Sequence, residues 1–564
     1  MRLFILTLVL VMILTGCAGQ ATAPLDTQQE AGNSAPASER EEATYHLMLG
    51  EMALQRGQLN EAVREYRMAA EAGSDPSVAE RATELALMLD DQDEALLSAR
   101  RWYELSPGQE GAASQYAILL INAGKTKPAI EVVRDLKAIQ EATGEPHAAV
   151  LLLPVALQAD NTGVALQVMT KVLGKMPADA ASLVVLSSLS QLDGKDKDAE
   201  KFARAAVAAE PDWGTAIMQL ARVLVRSGRA EEGLALAGKH VAAGAEISAR
   251  LEFASLLSLA GDNAAAGLIL EQILLERPGL PPALSMMGYV EYQSGRPENA
   301  RRYYSRLAAN GQHFDEAYFY LGQISLDQGD GETAAQILQM VPEGDYFLAS
   351  QFGIRDALVM AGKPDAAMEY LQQVAESHPE YQAQMLIAQA ELLGQQYQFA
   401  EAIELYQQAL ELDPENIQLR YGMAMALEQS GQVDQAIEML RWVVKQDPED
   451  ATALNALGYT LADHKRDMGE AYRYISEAYK QEPLNPAVVD SMGWVEYRRG
   501  NLEPALAYLR KAYELLSDAE IAAHLGEVLW MLGQQDEARS VWEQALEQDP
   551  EHPALLSVME QFGQ

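Results

Sequence analysis

One cysteine, Cys17, in 564 residues excludes an intramolecular disulfide framework and any cysteine-rich metal site. Basic side chains are scarce as well: 42 Lys and Arg against 82 Asp and Glu leave a formal charge of −40. A phosphate backbone attracts basic surface, so the expectation is no nucleic-acid partner. Motifs of common catalytic machinery are missing too, with no HExxH, no GxSxG and no glycine-rich loop ending in lysine. The histidines, His46, His147, His240, His313, His378, His464, His524 and His552, are too far apart in sequence to build a local ligand motif. Acidic pairs such as Asp90-Asp91 and Glu231-Glu232 read as solvated faces or caps, because a calcium loop alternates oxygen ligands around a tight glycine turn. The sequence therefore predicts no enzyme active site, no cofactor and no metal centre. Apolar material, by contrast, is plentiful: 49% hydrophobic residues are ample for folded cores and argue against a disordered acidic chain.

Long apolar runs are also rare, and the notable one opens the chain. Arg2 precedes an uncharged stretch from Leu3 to Leu14, which is short for a helix crossing about 30 Å of hydrocarbon but suits a signal-peptide core. Leu14-Thr15-Gly16-Cys17 resembles a bacterial lipobox. The resemblance implies cleavage after residue 16 and lipidation of Cys17, whose thiol forms the thioether; the alternative is a free cysteine at the end of a transmembrane helix. Acyl chains contribute about 0.8 kcal/mol per buried methylene, so two or three hold a protein firmly. Ala18 follows the cysteine, and similarity to Gram-negative lipoproteins then implies sorting to the outer membrane, facing the periplasm. Residues 17–42 carry the lipidated cysteine and a segment rich in Ala, Gln, Ser, Pro and Glu without apolar periodicity, which predicts a flexible linker.

From Ala43 a period of about 34 residues takes over. Gly50, Ala117, Ser187, Ala221, Gly288, Gly322, Ala424, Gly458, Gly493 and Gly526 hold one small position. Ala62, Ala129, Ala199, Ala300, Ala334, Ala402, Ala436, Ala471, Ala505 and Ala538 hold a second, and prolines such as Pro414, Pro448 and Pro483 close units. The pattern resembles the tetratricopeptide repeat, with Gly or Ala at position 8, Gly near 15, Ala at 20, a large residue at 24, Ala at 27 and Pro at 32. Membership implies an all-α fold, a right-handed superhelical solenoid of about 15 helix pairs over residues 43–552, with residues 553–564 as a carboxy-terminal cap. Small residues would let paired helices approach to about 8–10 Å. Glycine near 15 would end the first helix, and proline would stop the second. Units near 76, 146, 214 and 348 fit less well, with Thr83, Leu153, Gly233 and Arg355 at positions where a small residue is preferred. Gly233 is an expected point of bending.

In this family positions 2, 5, 9, 12 and 13 of the first helix face the groove. They fall on Tyr289, Tyr292, Phe319, Tyr421, Tyr459, Trp494, Tyr497, Arg498 and Trp530. Such aromatics either anchor a protein partner, burying area at low entropic cost, or fill space between neighbouring first helices. The layout of lipobox, linker and long array is similar to that of outer-membrane tetratricopeptide lipoproteins that bind a periplasmic carboxyl-terminal processing protease and bring it peptidoglycan hydrolases. That resemblance implies a lipid-anchored adaptor that promotes proteolysis without catalysing it. The alternative is an assembly lipoprotein for a secretin, pilus or exopolysaccharide exporter.

Overall fold

The computed structural model describes residues 37–562 apart from 90, 312 and 551. The signal peptide, Cys17 and most of the linker lie outside the described residues. Among the described residues there are 31 α-helices and two short 3-10 helices, with no strand. The helices fall into 15 hairpins followed by a single helix, Pro553–Gln561, at the carboxy-terminal end. They group into two compact units, one ending at Tyr320 and one starting at Leu321. The sequence holds no hint of this division, since the repeat runs through it unbroken.

The same local chemistry builds each hairpin. Several first helices start at side-chain caps: Asp450 accepts from the amides of Thr452 and Ala453, Asn485 from Ala487, and Asp518 from Glu520 and Ile521. Part of the acidic excess is therefore used to satisfy helix ends. The turn to the second helix needs positive φ, which Gly431 and Gly500 adopt at 81° and 85°. Where two repeats lack that glycine, Tyr397 and Lys465 take the same left-handed conformation, with φ of 61° and 52°. Second helices such as Phe399–Leu412, Val433–Gln446 and Met468–Gln481 then stop two residues short of Pro414, Pro448 and Pro483.

Packing inside a hairpin follows the two small positions. All ten alanines of the second small position, from Ala62 to Ala538, have no exposed surface. At the first, the missing Cβ makes room for the large residue of the facing helix. A Cβ on Gly288 would lie 2.8 Å from the Tyr304 ring, and one on Gly493 would lie 2.5 Å from Leu509 Cγ. Gly526 faces Trp542 more tightly still, and Trp542 is fully buried. Stacking of hairpins completes the cores. In the amino-terminal unit one apolar cluster runs from Ala53 to Ala216.

Several expectations are corrected. Helix Ala37–Gln55 starts inside the stretch expected to be linker to residue 42. Near 146 the first helix is broken into a 3-10 turn, Ala148–Leu152, and a short helix, Leu153–Leu157, because Pro154 removes an amide donor. Gly233 does not interrupt its helix, which is continuous over Ala230–Ala242. Its lack of a side chain serves a close approach instead, since a Cβ there would lie 2.6 Å from the Ala221 carbonyl oxygen. Arg355 is tolerated because its head turns outward to Glu391, at 2.8 Å.

Candidate functional site: the wall of first helices

In the carboxy-terminal unit three consecutive first helices, Ala451–Asp463, Pro486–Arg498 and Ala519–Met531, lie side by side. Their shared face brings together four of the residues expected to bind partners. Trp494 donates its indole N–H to Asp463 Oδ1 at 3.0 Å, and Arg498 Nη2 reaches the same oxygen at 2.9 Å and the Asp463 carbonyl at 3.0 Å. The Arg498 guanidinium also lies 4.5 Å from the Trp494 ring centre. On its far side Trp494 stacks on His524 at 3.9 Å, and His524 Nδ1 is 2.9 Å from Asp490 Oδ2. The Tyr497 hydroxyl donates to Glu527 at 2.7 Å, and the Tyr459 hydroxyl donates to Glu520 at 3.0 Å.

The Tyr459–Glu520 bond skips a repeat, spanning the helix between its partners. Trp494, 4% exposed, lies within this network, so its rings fill space between first helices rather than standing open. Burial favours the neutral form of Tyr459, and the carboxylates of Glu520, Asp463 and Asp490 push its pKa further up. Tyr497 is raised by burial and by its bond to Glu527. Both phenols stay protonated and act as donors. Burial alone would raise Asp463, but the bonds from Arg498 and Trp494 outweigh it and hold the carboxyl below its usual range. For His524 burial opposes protonation; the neighbouring Asp490 outweighs that and lifts its pKa above the ordinary histidine value.

The amino-terminal unit gathers the other aromatic group. Tyr289 and Tyr292 on Pro281–Gln293 lie edge-on to Tyr320 at 6.3 and 6.0 Å, and Phe319 lies edge-on to it at 5.4 Å. Beside them Ser285 Oγ donates to Glu316 at 2.6 Å. Glu316 is buried, and burial, only partly offset by Ser285, pushes its carboxyl up to about 7. Trp530 is not part of either group. It stacks on Trp542 at 5.8 Å, with Phe562 at 5.5 Å and the Arg539 guanidinium at 5.2 Å, at the end of the array. Tyr421 is half-buried, one repeat before Tyr459. Cys17 lies outside the described residues.

One set of metal-ligand types converges across repeats although no sequence motif links it: Glu428, Asp463 and His464 have ligand atoms within 4.8 Å of one another. His464 Nε2 is 2.8 Å from Glu428 Oε1, and Arg498 already supplies the positive charge beside Asp463. Sequence reading missed Asp463, Asp490, Glu520, Glu527 and Glu316, although all fall on groove positions of the repeat register. A carboxylate in an acidic chain carries no signal of its own until its neighbours are known.

Repeated helical hairpins, closed by matched small and large residues and presenting a bonded wall of aromatic and acidic side chains, define a protein that works through its surface. Comparison agrees: the family profile described as tetratricopeptide repeat matches residues 285–345, 356–417, 393–458 and 491–554. The chain is 30% identical over 489 residues to the TPR repeat-containing protein PA4667 of Pseudomonas aeruginosa, covering 86% of this chain and 82% of that one. It belongs to the tetratricopeptide-repeat family, whose arrays are protein-interaction scaffolds. Among solved structures, the Cut9–Hcn1 heterotetramer of the APC/C aligns over 92% of this chain and 96% of that one, at 14% identity and a TM-score of 0.35. The thermophilic TPR protein TTC0263 of Thermus thermophilus aligns over 32% of this chain and 97% of its own, at 23% identity and a TM-score of 0.29.

Proposed function

We propose that the protein is a lipid-anchored adaptor of the outer membrane. It faces the periplasm, holds a carboxyl-terminal processing protease and brings it cell-wall hydrolases. The observation that carries the scaffold part is the wall of first helices, where Asp463, Trp494, Arg498, His524 and Asp490 form one cross-repeat network. Such a network fixes neighbouring hairpins at a set spacing, which a docking surface for folded partners requires. The Leu14-Thr15-Gly16-Cys17 motif supports the anchored part, and the overall layout supports the choice of partner. Tethering enzyme and substrate to one array raises their effective concentration without chemistry by the array itself.

The test is capture of periplasmic proteins on the detergent-extracted full-length protein, followed by a proteolysis assay with the purified components. The expected outcome is recovery of a processing protease whose cleavage of a hydrolase speeds up when the adaptor is added. Recovery of export-channel components alone would favour an assembly role, and hydrolysis by the adaptor without protease would overturn the non-catalytic reading.

A further inference from the structure

Among the described residues, Glu428, Asp463 and His464 are the one trio of metal-ligand types whose ligand atoms all lie within 4.8 Å of one another. They come from two consecutive repeats. Glu428 sits in the last turn of the first helix Ile417–Gln429, and Asp463 and His464 sit where the next first helix, Ala451–Asp463, ends. His464 Nε2 is 2.8 Å from Glu428 Oε1 and 4.0 Å from Asp463 Oδ2. Ligand atoms held about 2.0–2.2 Å from one tetrahedral ion lie about 3.3–3.6 Å apart, so the two separations bracket what an ion requires. The side chains of Glu428, Asp463 and His464 are 11, 30 and 29% exposed, which gives an ion access from solvent.

The support of Asp463 separates this trio from an ordinary ion pair. Its Oδ1 accepts from the Trp494 indole at 3.0 Å and from Arg498 Nη2 at 2.9 Å, both on the following first helix, and Oδ2 is left on the His464 side. Outer bonds of this kind orient the carboxylates that hold metals. Charge also permits a cation: Glu428 and Asp463 supply two negative charges and Arg498 one positive, so beside a neutral His464 the balance attracts a divalent ion. The contacts His46–Glu65, His147–Glu210 and His378–Glu380, by contrast, pair the ring with a single carboxylate.

We propose that Glu428, Asp463 and His464 bind one divalent transition-metal ion of the zinc class, clasping two consecutive repeats beside the wall of first helices. An imidazole ligand favours such an ion over Ca2+ or Mg2+, whose sites are built from oxygen. Three protein ligands leave the fourth position to water. The bound ion ties Ile417–Gln429 to Ala451–Asp463 and, through Asp463, steadies Trp494 and Arg498. This holds whichever partner the array carries.

The probe is Zn2+, titrated calorimetrically into chelator-stripped, untagged full-length protein in detergent, with excess Mg2+ and Ca2+ present to occupy acidic surface. One equivalent per chain is expected to bind and to raise the melting temperature. Glu428→Gln and His464→Gln each remove one ligand while keeping a hydrogen bond between positions 428 and 464. Both should weaken Zn2+ about tenfold or more and lose the rise in melting temperature, with circular dichroism establishing that each variant is folded. Should one of them fail to fold, the other carries the test. Absence of a one-to-one phase in the unaltered protein, its survival at full strength in a folded variant, or its displacement by Mg2+ and Ca2+ would overturn the proposal and leave the trio an ion pair.

Discussion

His524 shows what a single residue contributes to the wall. Its imidazole, on Ala519–Met531, packs against Trp494 and Asp490, both on the first helix one repeat earlier, and Asp490 raises its pKa above the ordinary value. A base whose folded pKa is raised stabilises the fold fully below its unfolded value, near 6.5, and that stabilisation is lost as pH rises through the folded value. The stability difference between the native protein and His524→Gln should therefore be larger at pH 6 than at pH 9, by urea denaturation; a constant difference would mean the pair does not titrate. Glu316 acts in a lower window. Its carboxyl is raised from 4.5 to about 7, so the folded state holds the proton more tightly and stability falls as pH climbs between those values, by on the order of 3 kcal/mol. Glu316→Gln should remove that slope and be the more stable protein at pH 8.

At the scale of one hairpin, the small positions set how closely two helices approach. Ala436 has no exposed surface on Val433–Gln446. Ala436→Leu should force the pair apart and cost about 1–3 kcal/mol by overpacking, seen as a lower denaturation midpoint at unchanged helical content. An unaltered midpoint would place Ala436 outside the contact. Turn geometry offers the opposite sign. Lys465 holds φ at 52° where most repeats use glycine, and a left-handed non-glycine residue costs about 1–2 kcal/mol. Glycine removes that strain but loses more chain entropy on folding, so Lys465→Gly should gain about 0.5–1 kcal/mol. A fall in melting temperature would show the strain to be absent.

Over the whole molecule, charge and attachment divide the work. With a formal charge of −40 the protein is repelled by anionic lipid headgroups, so on the reading proposed above membrane attachment falls to Cys17. Cys17→Ser should move the protein from the membrane to the soluble periplasmic fraction, and mass spectrometry of the native form should find a lipid-modified cysteine at its amino terminus. A Cys17→Ser variant that stays membrane-bound would remove the case for a lipid anchor.

The hairpin count, the helix starts and stops and the matched small positions were legible in the sequence because they depend on contacts within about 34 residues, where backbone preference and side-chain size act locally. Gly526 could be marked as small from its period alone, and the buried Trp542 that requires it lies one helix away in the same repeat. What the sequence could not show is how residues of different repeats meet. Tyr459 and Glu520, 61 positions apart, and Trp494 with His524 are joined only when hairpins stack with a particular offset. The same holds for charge: Glu291 and Glu316 are both carboxylates on first helices, and packing alone leaves one with an arginine and the other with a serine. Local chemistry therefore determined the repeats, and tertiary stacking decided which of their side chains meet and which buried carboxylates gain a cation within the chain.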